Sequence, residues 1–274
     1  MDFWRRFRRN RAAVFGLAVV GLFGLVALLA PAIAPADPFA ISRASFRPPG
    51  EGYLMGTDAL GRDVFSQFVH GARVSLTVGL LAAAVAVAIG IVVGATSGFH
   101  GGRLDAVLMR ITEMFQVMPR LVLALVVVAL LGGGLDRIIA VIGILSWPPA
   151  ARLVRAQFLS LKEQEFVEAA RSIGLSRLRI IVSEILPNAL PPAVVAGSLD
   201  VAQAILLEAS LSFLGLGDPN AMSWGTMLQE AQRYLRQAWW LSAFPGAAVF
   251  LTVLGFNLVG DGLNDALNPR LRER

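Results

Sequence analysis

Apolar residues in this chain fall in blocks bounded by glycine, proline or arginine, and each block is about as long as a bilayer is thick. A spanning helix needs about 20 mostly apolar residues. The pattern predicts six of them, over residues 14–33, 74–97, 112–131, 137–153, 191–214 and 238–259. Gly132, Gly133 and Gly134 part the third block from the fourth. The polar stretches between blocks are too short to fold as catalytic domains of their own. Two of them, 34–73 and 215–237, fall on one side of the bilayer, and the largest on the other side is 156–190. No internal repeat is evident. The expected fold class is an all-α membrane protein with six transmembrane helices.

Composition agrees with the pattern. The chain of 274 residues is 56% hydrophobic and 16% charged, whereas a soluble domain carries about 25% charged residues. Its mean hydropathy is +0.66. There is no cysteine, which excludes disulfides and thiolate metal sites, and His70 and His100 alone cannot make a histidine-rich metal centre. The net charge of +5 does not point to nucleic acid, because the arginines cluster beside apolar runs. If the amino terminus is cytoplasmic, sixteen Lys and Arg fall on inner segments and six on outer ones, with Arg120 and Arg137 unassigned. The inner set starts with Arg5, Arg6, Arg8, Arg9 and Arg11 and ends with Arg270, Arg272 and Arg274. By the positive-inside rule both termini are expected to face the cytoplasm. The basic start and the Ala-Pro-Ala run near Ala34 resemble a secretory signal, yet the first apolar block exceeds the roughly 7–15 residues of a signal core. A membrane anchor is the expectation.

Charged groups inside spans are costly and normally face a cavity or a partner. Asp200, Gln203 and Glu208 lie near one stripe of the fifth span, where they could line a solute path or tie helices together. Arg120 follows Pro119 near the inner edge of the third span. Pairing with Glu113 is its simpler role, and contact with a substrate carboxylate the sharper one. Ala82, Ala86, Gly90, Gly94 and Gly98 repeat every four residues and predict close helix packing. Trp239 and Trp240 fit an outer aromatic belt. In the outer segment, Thr57, Asp58, Arg62 and Asp63 are candidates for contact with an extracellular binding protein, or else form a capped turn before a helix.

The inner segment carries the most specific pattern. From Glu163 to Gly174, Phe166, Ala170 and Ile173 recur at helical spacing, and Gly174 can end the helix in a left-handed conformation. Pro187, Pro191 and Pro192 mark re-entry into the membrane. A short amphipathic helix of this kind can lie on lipid headgroups or dock a protein, and Glu163, Glu165 and Glu168 favour a protein. Glu168, Ala169 and Ala170, followed by Gly174 and by Leu186-Pro187, resemble the EAA signature of bacterial ABC importer permeases. In that family the loop forms a coupling helix seated in a cleft of a cytoplasmic ATPase. The resemblance implies that Glu163, Phe166 and Glu168 meet the ATPase, that Ala169 and Ala170 allow close approach, and that Leu186-Pro187 ties the helix to the fifth span.

Other runs narrow the resemblance. Gly56 to Asp63, Ala209 to Gly217, Ser223-Trp224-Gly225 and Gly260 to Arg270 are similar to the dipeptide/oligopeptide/nickel permease family, C-type subunit, over nearly the whole chain. Glu184 stands where relatives often carry histidine, and residues 218–222 depart from a commonly proline-rich stretch. The resemblance implies a type I ABC importer permease fold in the cell (inner) membrane. Residues 1–73 would hold the amino-terminal tail, first span and outer segment, and 74–274 the core permease. It also implies a B-type permease partner, two cytoplasmic ATPases that bind ATP and Mg, and a solute-binding protein outside. This chain itself carries no cofactor: the only lysine, Lys162, has no glycine loop beside it, so no Walker A phosphate cradle exists. No nucleophile–base or metal constellation suggests an enzyme. An ion-gradient carrier using Asp200 and Glu208, and a purely structural subunit, are the competing readings. The cargo stays open among dipeptides, longer peptides, nickel chelates, sugars and opines.

Overall fold

The computed structural model describes residues 2–50 and 52–267. Arg270, Arg272 and Arg274, with the end of the 260–270 motif and the side chain of Arg6, lie outside the described residues. The chain is helical, with a single β-bridge between Thr57 and Asp63 among the described residues. A short helix α1 (Asp2–Arg9) leads into α2 (Arg11–Ile33), whose first turn is capped by Asn10 accepting from the Ala13 amide at 3.1 Å. After the irregular outer segment come α3 (Val64–His100), α4 (Gly102–Val117), α5 (Arg120–Leu131), α6 (Leu135–Ser146) and α7 (Pro148–Leu161). The inner helix α8 (Glu165–Ser172) precedes α9 (Arg177–Arg179), which runs through a π-helical turn (Ile180–Ile185) into α10 (Leu186–Leu211). On the far side lies α11 (Trp224–Ala231), and α12 (Trp240–Leu267) returns.

Four stretches are each long and apolar enough to cross a bilayer: α2, α3, Arg177–Leu216 and α12. The other two expected spans are broken. Helices α4 and α5 meet at 88° across Met118 and Pro119, and α6 and α7 at 43° across Trp147. Proline lacks an amide donor at both breaks; Met118 before Pro119 is also driven into an extended conformation, whereas Trp147 before Pro148 stays helical and the bend there is milder. The single straight helices expected over 112–131 and 137–153 are therefore corrected to bent pairs. Helices α5 and α6, at 12 residues each, would reach only about 18 Å, short of the roughly 30 Å of hydrocarbon. With each pair counted as one pass there are six. The long helix also starts far before residue 191. Pro187 lies in the first turn of α10, and Pro191 and Pro192 lie inside it.

Helix α3 is the spine, with α2, α6, α7 and α10 packed around it. The small-residue stripe allows α7 to come very close: a Cβ on Gly94 would stand 2.4 Å from the Ala151 carbonyl oxygen, and one on Gly90 2.5 Å from the Ala150 Cβ. Helix α2 covers the other flank with Gly16, Phe23, Ala27 and Ala30 inward. Its Leu22, Leu25, Leu28 and Leu29 point outward, a surface suited to lipid rather than water. Phe7 of α1 is tucked beside Ala13, Leu263 and Ala266, so both described ends of the chain meet.

Candidate translocation path and coupling surface

Helix α8 has a chemically defined C-terminal end, while its start at Gln164 has no side-chain cap. It stops in a Schellman motif: Gly174, at φ +82°, donates to the Arg171 carbonyl at 3.0 Å, and Leu175 donates to that of Ala170 at 3.1 Å. The helical spacing of Phe166, Ala170 and Ile173 does not mark the buried face. Val167 and Ala170 pack against Ile180, Ile185 and Phe158, whereas Phe166 (39% exposed) and Ile173 (77%) point outward with Glu163, Glu165 and Glu168. Ala169 is exposed beside them. Leu186 and Pro187 sit at the seam where the π turn rejoins α geometry, and the Leu186 amide donates to the Ile181 carbonyl, one residue beyond the α register. That wider turn accommodates the missing donor and the bulky ring of Pro187. The interval 156–190 is mostly helix, and only about 162–176 is loop and α8.

The intramembrane polar residues separate into two environments. Glu208 is 1% exposed. It accepts from Ser212 Oγ at 2.8 Å and Ser75 Oγ at 3.1 Å, while Ser75 Oγ accepts from the Trp224 amide at 3.3 Å. It thus bolts α3, α10 and α11 together. Gln203 instead faces an open cavity of about 670 Å³ between α4, α5, α7 and α10. Asp200 is half-buried, within electrostatic reach of Arg120, and its Oδ2 has no hydrogen-bond partner. Arg120 lines that same cavity. The expected Arg120–Glu113 pair is not formed: Glu113 pairs with Arg110 at 3.4 Å, because the 88° break carries Arg120 away from the α4 face.

In the segment between α2 and α3, Thr57, Asp58, Arg62 and Asp63 are all buried. Asp63 caps α3, accepting from the Ser66 amide and hydroxyl at 2.7 Å each. Thr57 Oγ1 accepts from the Arg47 amide at 2.8 Å. Asp58 accepts from the amides of Leu60 and Arg62 and from Gln67 Nε2 at 2.7 Å. Arg62 bridges Asp58 and Glu230 of α11. Burial opposes its charge, but Glu230 and Asp58 more than offset this, and its pKa is raised. These four side chains hold the outer segment in shape, and its own surface is formed by residues such as Ile41 and Leu54. Of the expected aromatic belt, Trp239 is exposed, but Trp240 turns inward and donates to the Thr57 carbonyl at 3.1 Å.

Three working residues escaped the sequence reading. Arg152 lines the cavity, but at the very end of a fourth span over 137–153 it counts only as an inner basic residue; Trp147-Pro148-Pro149 was the available signal. Asp105 and Arg155 form a two-pronged pair at 2.6 Å that ties the first turn of α4 to α7.

Comparison with known proteins places these features. Residues 86–273 match the family model described as binding-protein-dependent transport system inner membrane component, and residues 1–49 match the N-terminal TM domain of oligopeptide transport permease C. The chain belongs to the binding-protein-dependent permease family and is a membrane-spanning permease subunit of an ABC importer. Within that family it is similar to the C-type permeases. It is 40% identical to a di/tripeptide transport system permease of Pseudomonas aeruginosa, over 99% of this chain and 92% of the relative. It is 39% identical to a dipeptide transport system permease of Bacillus subtilis, over 99% and 86%. It is 41% identical to a probable D,D-dipeptide transport system permease of Escherichia coli, over 94% and 87%. Among solved structures, the MetNI methionine ABC transporter in inward-facing conformations shares the fold, with a TM-score of 0.60 at 19% identity over 74% of this chain and 97% of that one.

Proposed function

We propose that the chain is the C-type half of a heterodimeric permease for di- and other short peptides, driven by separate ATPases that dock on α8. The observation that carries this is α8 itself: a capped helix whose buried face is locked onto the α10 stem while Phe166, Glu163 and Glu168 stay exposed. A motor gripping that outer face would move α10 as one body with α8. The B-type partner would close the open cavity, a solute-binding protein would deliver cargo outside, and ATP and Mg would stay on the ATPases. Both termini face the cytoplasm in this reading, as six passes and the arginine distribution support. Residues 1–73 then form the peripheral part and the rest the permease core. Asp200, Gln203 and Arg120 belong to the path, and the outer surface above Thr57, Asp58, Arg62 and Asp63 receives the binding protein. Peptide cargo is supported by the printed specificity of the relatives. An ion-gradient carrier has less support, because the Glu208 carboxylate is already engaged by two serines.

The test is co-purification with the ATPases. Phe166→Asp and Glu168→Arg are expected to insert normally in the membrane but to lose ATPase retention and ATP-dependent peptide uptake about tenfold or more. Retention and uptake at the wild-type level in both variants would remove α8 as the coupling element.

A further inference from the structure

The cavity between α5, α7 and α10 has a composition that a generic path does not require. Each broken span contributes its break to this one wall: Met118 and Arg120 come from the 88° bend, and Pro148 and Arg152 from the 43° bend. Gln116, Gln203 and Ser210 add neutral polar groups, and no carboxylate belongs to the wall. Neither Arg120 nor Arg152 forms an ion pair among the described residues. Asp200 is the acid that Arg120 feels, yet it is not part of the wall. Helix α5 also starts here on Pro119 with no side-chain cap, which leaves first-turn amides as further donors. Two guanidiniums on one wall that holds no carboxylate favour an anionic guest. A planar fork of N–H donors can grip a carboxylate through two parallel hydrogen bonds.

We propose that Arg120 and Arg152 form a carboxylate-recognising subsite that receives the terminal carboxylate of a peptide as it crosses. This deepens the peptide reading above and rests on it. The broken spans serve the subsite directly, because a straight third helix would place Arg120 beside Glu113 and a straight fourth helix would aim Arg152 elsewhere. Cargo without a carboxylate would gain nothing from the pair.

The experiment uses the complete transporter, with both permeases, both ATPases and the binding protein, reconstituted in vesicles with a radiolabelled dipeptide outside. Uptake and binding-protein-stimulated ATP hydrolysis are measured for Arg120→Gln, Arg152→Gln and Arg120→Lys. Each Gln variant is expected to lower uptake about tenfold, the loss of a charge-assisted hydrogen bond, with hydrolysis changed by less than about twofold. Arg120→Lys should recover part of the uptake, because it restores charge without the fork. Unchanged uptake in both Gln variants overturns the subsite and leaves the permease reading standing. Uptake and hydrolysis falling together, with Lys no better than Gln, marks a packing role and overturns it as well. A wild-type complex that hydrolyses ATP but moves no di- or tripeptide sinks the peptide reading and the subsite with it.

Discussion

Glu208 and Gln203 show what a single side chain's surroundings decide. Both project from α10 within two turns, yet one is sealed among serines and the other faces open space. Asp200 and Glu208 are eight residues apart, which leaves them about 80° apart around an α-helix, so one stripe was only an approximate description. Of the partners that seal Glu208, Ser212 is four residues on, but Ser75, which in turn accepts from the Trp224 amide, is far away in the chain, and no local spacing discloses it. Glu208→Leu is expected to destabilise the protein by about 2–4 kcal/mol, because it strands the buried hydroxyls of Ser75 and Ser212. Glu208→Gln should keep most of the stability. Thermal unfolding of the purified complex decides this, and a Leu variant melting with the wild type would show that the carboxylate holds nothing.

At the level of elements, sequence reasoning located α8 and its glycine stop but did not disclose which face is buried. The stop was legible because a left-handed cap is a local requirement that glycine meets. The face was not, since Val167 is drawn inward by Ile180 and Ile185, and their position depends on the π turn. The same limit applies to the broken spans: Pro119 and Pro148 announce a break, but only packing against α3 and α10 sets bends of 88° and 43°. Gly174→Pro removes the amide that donates to Arg171 and cannot adopt φ +82°. It is expected to abolish ATP-dependent uptake while leaving the protein in the membrane, whereas Gly174→Ala costs about 1 kcal/mol and keeps most uptake. Uptake by the Pro variant equal to that of the Ala variant would mean that the shape of the α8 terminus is irrelevant to coupling.

Across the whole molecule, hydropathy disclosed up to six passes, because the apolar blocks reflect the solvent each segment meets. It could not disclose that the outer segment is fastened to the far end of the chain by Arg62–Glu230 and by Trp240 to Thr57. Arg62→Ala cuts the first tie and leaves Asp58 and Glu230 facing each other. Proteolysis within residues 34–63 of the purified complex is expected to quicken about tenfold, the effect of about 1.4 kcal/mol on local opening. An unchanged digestion rate would show that Trp240 alone suffices. The π turn at Ile180–Ile185 has one more consequence at this scale. A helix with one surplus residue has its two halves out of phase by about 100°. Excising a single residue such as the exposed Val182 would let the stem re-zip as an unbroken rod, swinging the α8 platform about a quarter-turn around its axis relative to Gln203. The angular offset between handle and channel wall is thus stored in that one additional amino acid.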